Sequence, residues 1–290
     1  MTFDFHSYRF SFIAQDSIRF PAVIPANALR GGLGLMLRRV ACECGSGNEH
    51  HADCVYARFF EPEALAGGPS GFRDRPRPFV FRARSLDGRT VEPGEQFHFE
   101  MNVFEMRFPV RLLLEKAFSE LAAEGLGPTR GRAQLAGAED RLVSLELSAS
   151  EAHTDTVIVS FLTPTELKAG EGLASAPEFA VLFARIRDRL STLRALYGAG
   201  PLDIDFQAMA ARAGEIAMVR CEWERSKAGR RSTRTGQRHD LSGFSGEAEY
   251  TGPLDAYLPY LHAAQWTGVG RQTVWGKGEL SVQAMRRDAR

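Results

Sequence analysis

The sequence predicts an α+β chain of two tandem split β-α-β units, each an antiparallel sheet backed by helices. Three observations carry that expectation. Strand-type alternation and helix-type spacing follow one another in the order strand, helix, strands, helix; the order is gone through twice; and 290 residues with 44% hydrophobic content suffice for two domains of ordinary size.

The first unit opens with a strand from Tyr8 to Ile13, where Tyr8, Phe10 and Phe12 alternate with Arg9 and Ser11. A turn with Pro21 and Pro25 follows, and Asn27 stands as the N-cap of a helix through Val40. Its Leu29, Leu33, Met36, Leu37 and Val40 recur at helical spacing, while Arg30, Arg38 and Arg39 lie elsewhere and give the helix a basic edge. A cysteine-containing loop and an arginine- and proline-rich connection lead to a half-buried strand, Gln96 to Phe104, with Phe97, Phe99, Met101 and Val103 on one face. Pro109 suits the first turn of a second helix, which runs to about Glu124 and stops at Gly125-Leu126-Gly127-Pro128.

The second unit repeats the grammar. Strands at Leu142 to Leu147 and Val157 to Leu162 precede a helix from Pro177 to Tyr197 that buries Phe179, Leu182, Phe183, Ile186, Leu190, Leu193 and Leu196. A strand at Glu215 to Glu224, a basic loop, a strand near Gly246 to Tyr250, a helix from Pro253 to Ala264 and a strand at Glu279 to Val282 complete it. The expected division is therefore 1–138, with a cysteine-containing insertion, and 139–290, with a basic loop and a glycine-rich loop.

Composition excludes little and excludes it cleanly. No run approaches the 18 or so apolar residues of a membrane helix, and Met1-Thr2-Phe3-Asp4-Phe5-His6 is no secretory leader, so no membrane partner and a cytoplasmic location are expected. Basic and acidic residues balance at 36 each; four of the basic ones are lysines, which leaves 32 arginines. That bias suits phosphate recognition and also follows from a GC-rich genome. Placement says more than balance. Arg225, Lys227, Arg230, Arg231, Arg234 and Arg238 precede His239 with no acidic residue among them, a run that reads as a solvated loop or a polyanion-binding one.

Cys42, Cys44 and Cys54 bracket His50 and His51 with the spacing C-x-C-x9-C. Three thiolates and an imidazole suffice for a tetrahedral zinc ion, but the spacing is no recognised finger, and reduced thiols without a ligand are the other reading. Cys221 reads as an ordinary buried thiol. Near the C-terminus, Gly268-Val269-Gly270-Arg271-Gln272-Thr273-Val274-Trp275-Gly276-Lys277-Gly278 pairs glycines at both ends, as a loop would whose bare backbone approaches a phosphate. It is no Walker A loop: five residues separate Gly270 from Gly276, and Gly278 stands where Ser or Thr would bind Mg²⁺.

This segment, with Leu241-Ser242-Gly243-Phe244-Ser245-Gly246-Glu247, Tyr250 and Leu258-Pro259 before it, resembles the C-terminal half of the CRISPR-associated RAMP-superfamily endoribonucleases that process pre-crRNA. Leu29-Arg30-Gly31-Gly32-Leu33-Gly34 with Leu37-Arg38-Arg39, Cys54-Val55-Tyr56 with Phe59-Phe60-Glu61, and Gly125-Leu126-Gly127 with Arg130-Gly131-Arg132 are similar to earlier parts of that family. The resemblance implies tandem ferredoxin-like (RRM-like) βαββαβ domains. It also implies metal-independent cleavage of CRISPR repeat hairpins to 2′,3′-cyclic phosphate and 5′-OH ends, retention of the crRNA, and partnership with other CRISPR effector subunits. No cofactor is required for that chemistry, and a structural zinc stays open. Cleavage needs a base, charge stabilisation and an acid. The candidates are His50, His51, Tyr56, Arg30, Arg38 and Arg39. RNA contact is expected from the basic run, His239, Gly268, Gly270, Arg271, Gln272, Gly276, Lys277 and Gly278. A non-catalytic RAMP subunit that binds RNA in an effector complex is the alternative.

Overall fold

The computed structural model describes residues 1–44, 50–51, 53–62, 75–149, 153–226, 229–231 and 238–286. Its first unit comprises β1 (Thr2–Ala14), β2 (Ile18–Arg19), α1 (Pro25–Ala41), α2 (Val55–Phe60), β3 (Phe79–Arg82), β4 (Thr90–Val91), β5 (Gln96–Val103), α3 (Arg111–Glu124) and β6 (Ala133–Glu146). The second comprises β7 (Thr154–Thr165), β8 (Lys168–Ala169), β9 (Gly172–Leu173), α4 (Phe179–Tyr197), α5 (Phe206–Ala213), β10 (Ala217–Ser226), β11 (Gly229–Arg231), β12 (Arg238–Asp240), β13 (Gly243–Thr251), α6 (Leu258–Thr267) and β14 (Leu280–Arg286).

Each unit holds a four-stranded antiparallel sheet, β3-β5-β1-β6 and β10-β13-β7-β14. Numbered within its own unit, each sheet has the order 2-3-1-4, with a helix after the first strand and another after the third. This is the ferredoxin-like βαββαβ topology twice over. Short pairs β2·β4, β8·β9 and β11·β12 lie outside the sheets. Among the described residues no helix is long and apolar enough to cross a membrane.

Several boundaries differ from the sequence expectation for identifiable reasons. α1 begins at Pro25, whose fixed φ suits a first turn, and Asn27 lies buried inside the helix rather than capping it. β6 pairs with β1 along its whole length, so the expected boundary after residue 138 falls inside a strand, and the strand expected from Leu142 is the end of the first sheet. Most of β6 is exposed, which left little apolar contrast to mark its start. The short helices α2 and α5 were not anticipated, although Asp205 caps α5 by accepting from the Gln207 and Ala208 amides at 3.0 and 2.9 Å.

β1 changes its buried face partway along. Tyr8, Phe10 and Phe12 point into the first core with α1 and α3, where Phe10 meets Phe118 at 4.5 Å between ring centroids. Phe3 and Phe5, of the opposite parity, join the second core together with Val80 and Phe104. In return Leu241 and Val274 of the second unit pack into the first core. Neither core is closed by its own unit.

Polar contacts weld the same junction. α6 ends with carbonyls that have no partner in the helix, and these accept from both units: Gln265 from Arg82 at 2.7 Å, Trp266 from Asn102 Nδ2 at 2.9 Å, Thr267 from Arg189 Nε at 3.0 Å. Near the end of α4, Ala195 and Tyr197 carbonyls accept from the Arg107 guanidinium at 3.1 Å and the Met106 amide at 2.9 Å.

Asn102 is 1% exposed, so Asn102→Ala leaves the Trp266 carbonyl without its donor inside the junction. The expected cost is about 1–3 kcal/mol in unfolding free energy, read by chemical denaturation. A change within experimental error of zero would mean the junction does not depend on this contact.

Candidate nucleic-acid interface

The glycine-rich segment joins α6 to β14, and φ is positive at Gly268 (68°), Gly270 (83°), Gln272 (61°), Gly276 (91°) and Gly278 (70°). The expectation was a bare backbone facing a phosphate; the structure corrects it, because most of that backbone faces inward. A Cβ on Gly270 would land on the Glu166 carbonyl oxygen, one on Gly278 on that of Val269, and one on Gly276 on the Ala26 side chain at 2.6 Å. The amides are largely spent as well: Val269 donates to Gly278 O at 2.9 Å, Arg271 to Glu166 O at 3.1 Å and Gly278 to Pro164 O at 3.1 Å. The glycines let this loop cross the chain after β7 and lie against the start of α1 at contact distance.

Lys277, expected at the RNA surface, is fully buried. Its ammonium donates to Glu166 Oε2 at 2.9 Å, Ser242 O at 2.6 Å and Gln272 Oε1 at 3.0 Å, and three acceptors account for all three of its hydrogens. It fastens the loop to the chain just before β13. Of the loop residues expected to meet RNA, Arg271 is exposed and Gln272 half-buried, whereas Gly268, Gly276 and Gly278 are buried.

The loop also reaches the first unit. The Arg30 guanidinium lies over the Phe60 ring at 4.8 Å and the Trp275 ring at 5.9 Å, joining α1, α2 and the loop. The glycines of α1 make this possible: Gly32 admits the Leu121 side chain and Gly34 the Phe60 ring where any Cβ would clash. Further along α1, Arg38 is half-buried, and Arg39 is exposed and paired with Glu124.

The cysteines gather at the far end of that helix. Cys42 follows α1 and Cys54 precedes α2. His50 Nδ1 lies 3.4 Å from Cys42 Sγ and 3.6 Å from Cys54 Sγ, and the His51 amide donates to Cys44 Sγ at 3.4 Å. That amide holds the Cys44 thiol below its usual pKa, while burial pushes the Cys54 thiol up. Tyr56 is 2% exposed, with its ring 5.3 Å from that of His50. Two expected catalysts, His50 and Tyr56, are therefore packed into the cysteine cluster, and His51 remains exposed. Cys221 sits half-buried in β10.

The basic run extends from the second sheet. Arg225 is exposed near the end of β10, and β11 and β12 form a hairpin with Arg230 opposite His239 and Arg231 opposite Arg238. Lys227 and Arg234 lie outside the described residues. Sequence reasoning missed two features here. Trp223 on β10 is 38% exposed and leans on Phe244, leaving part of its indole at the surface two residues before Arg225. His6 Nδ1 lies 2.7 Å from Asp140 Oδ1, a pairing across 134 residues that only strand register reveals.

A family model described as an N-terminal domain matches residues 3–154, and that of the CRISPR-associated endoribonuclease Cas6 matches residues 159–280. No curated protein matches the chain by sequence. Among solved structures, a Thermus thermophilus Cas6 in a product complex is similar at 16% identity, covering 96% of this chain and 100% of that one, with a TM-score of 0.59. A partial Cas6-RT-Cas1–Cas2 complex is similar at 11% identity over 99% of this chain and 47% of that one, with a TM-score of 0.60. A RAMP protein binding different RNA substrates is similar at 8% identity, covering 96% and 99%, with a TM-score of 0.52. At these identities the likeness is one of fold.

Lys277→Met strands the Glu166 carboxylate, itself only 13% exposed, without its cation. The expected loss is about 3–5 kcal/mol in thermal or denaturant unfolding, and Lys277→Met with Glu166→Leu recovers most of it. A double variant no more stable than the single one would show that the lysine acts through its other two acceptors.

Proposed function

We propose that the chain is a CRISPR-associated endoribonuclease of the Cas6 type that processes CRISPR repeat RNA, cuts without a metal ion, leaves 2′,3′-cyclic phosphate and 5′-OH ends, and keeps hold of the crRNA it makes. In this reaction a base takes the proton of the ribose 2′-OH, O2′ attacks the adjacent phosphorus, and the 5′-oxygen leaves with a proton from an acid. Cations stabilise the extra negative charge on the phosphorane.

The observation that carries this reading is a continuous path of contacts. The base of the arginine hairpin, at Ser242, is bonded to Lys277 in the glycine loop; that loop's Trp275 lies under Arg30; and Arg30 begins the basic edge of α1. These contacts hold the basic run, the glycine loop and α1 together, and in this reading RNA lies over their outer side, meeting the exposed Arg225 and Arg271 and the rest of the run (Lys227, Arg230, Arg231, Arg234, Arg238 and His239) before reaching the end of α1. Trp223 adds a surface on which a base can stack.

In the proposed division of labour His51 moves the proton, because it is the exposed histidine beside the end of α1 and an imidazole can both accept and donate one. Arg38 and Arg39 neutralise the phosphorane, and Arg30 positions the strand at the loop. His50 and Tyr56 rank behind, since their rings are enclosed. Among the described residues, the one group of three or more close metal-capable side chains is rich in thiols, a set suited to a closed structural zinc rather than to hydrolytic Mg²⁺. Any zinc is thus assigned to structure and not to cleavage. The retained crRNA would bring the chain to other effector subunits.

Purified protein mixed with a panel of hairpin-forming CRISPR repeats in excess EDTA is expected to give one cut and a cyclic-phosphate end by mass spectrometry. No cut on any repeat, or a requirement for added metal, would sink the mechanism. His51→Ala is expected to slow single-turnover cleavage by about 10²–10⁴-fold.

Replacing Arg230, Arg231 and Arg234 together with Ala is expected to weaken repeat binding. It should also reduce the slope of log K against log salt by up to about 2–3, the value for three phosphate contacts. An unchanged affinity and slope would mean that the hairpin faces away from RNA.

A further inference from the structure

We infer that Cys42, Cys44, His50 and Cys54 bind one zinc ion in a closed tetrahedral site, with His50 coordinating through Nδ1 and Glu61 accepting the hydrogen on its Nε2. The inference deepens the structural role given to zinc above and does not depend on which residues cut RNA. The four ligand atoms lie within 4.8 Å of one another. A tetrahedron with Zn–S of about 2.3 Å and Zn–N of about 2.0 Å has N···S edges of about 3.5 Å. The observed distances from Nδ1 to Cys42 Sγ and Cys54 Sγ, 3.4 and 3.6 Å, are those edges.

A second observation is independent of the thiols. Histidines that hold metals commonly donate their other ring N–H to a carboxylate, which fixes the tautomer and the ring orientation. His50 Nε2 is buried with no hydrogen-bond partner, yet Glu61 Oε2 stands 3.9 Å away, close enough to tighten onto it once Nδ1 is engaged. Glu61 directly follows α2, so the ligand and its carboxylate come from the two ends of one short segment. The Tyr56 ring packs against the imidazole and shields it.

The ligands also sit where a crosslink has something to hold. Cys42 caps the end of α1 and Cys54 precedes α2, so one ion fixes the helix carrying Arg30, Arg38 and Arg39 to the helix carrying Phe60, on which Arg30 rests. Three thiols and one neutral imidazole satisfy zinc's preference for soft and borderline donors and leave no open position for a substrate. On binding, each of the three thiols gives up its proton to solvent, and the net charge of the site becomes −1.

The test begins with the wild-type protein, expressed with zinc in the medium and purified under reducing conditions. Elemental mass spectrometry is expected to find about one zinc per chain, and a mercurial thiol reagent is expected to release it to a chromogenic chelator. His50→Ala should give up zinc to a competing chelator at a concentration at least about 100-fold lower than wild type requires, and Cys42→Ser with Cys44→Ser should retain none.

Should those variants fold poorly, cobalt exchanged into the wild-type chain provides the second measurement. The intense visible bands of tetrahedral thiolate-bound cobalt support the site; their absence, or an octahedral spectrum, overturns it. Wild-type protein without zinc, or His50→Ala holding zinc as tightly as wild type, overturns it too. None of these readouts uses RNA, so loss of the zinc site and loss of the cleavage mechanism would be seen separately.

Discussion

The two units are held in one arrangement by carbonyl oxygens that a helix cannot satisfy itself. The end of α6 offers three, and Arg82 and Asn102 from one unit and Arg189 from the other take them. A helix C-terminus carries roughly half a negative charge, which, with Glu100 and Glu279 near Arg82, favours holding the two guanidinium groups of Arg82 and Arg189 close together. The arrangement is costly: Arg189 is pushed down to about 9, by burial first and by the nearby Arg82 second. Two cations are tolerated because each meets a carbonyl, and separating the units would leave the Gln265 and Trp266 carbonyls bare.

This constraint sets the position of the glycine loop, which begins at the residue after the last of those carbonyls. With α6 fixed at its end, Gly268 turns the chain, and the loop has only the width between the segment after β7 and the start of α1 in which to run. Side chains do not fit there, which accounts for glycine at four positions more directly than ligand access does. The charged partner needed inside so narrow a crossing is Lys277 against Glu166, while Arg271, six residues earlier in the same loop, points to solvent.

The repeat of strand, helix, strands, helix was legible in the sequence because α1, α4 and β5 bury one regular face each, and periodicity reports such faces well. β6 was misjudged at its start because it is exposed along most of its length, so polar residues fill positions where alternation would show. α2 escaped notice because six residues are too few for a period. Within the site, the arginine run could be read as a run, but the inward turn of Lys277 could not. A lysine between glycines looks the same whether its carboxylate lies 111 residues earlier or nowhere. His50 posed the converse problem: sequence proximity to His51 made the pair look equivalent, and packing separates them into one enclosed ring and one open one.

The change of face along β1 bears on how the chain is made. Phe3 and Phe5 leave the ribosome well before the surface that covers them, which comes from α4 and its neighbours nearly two hundred residues later. During synthesis the leading unit has its own helices and sheet in hand while two aromatic rings, with Val80 and Phe104, wait uncovered on its far side. Such a patch invites association with other nascent chains. The order in which the chain is made thus leaves this patch exposed until the second unit is complete.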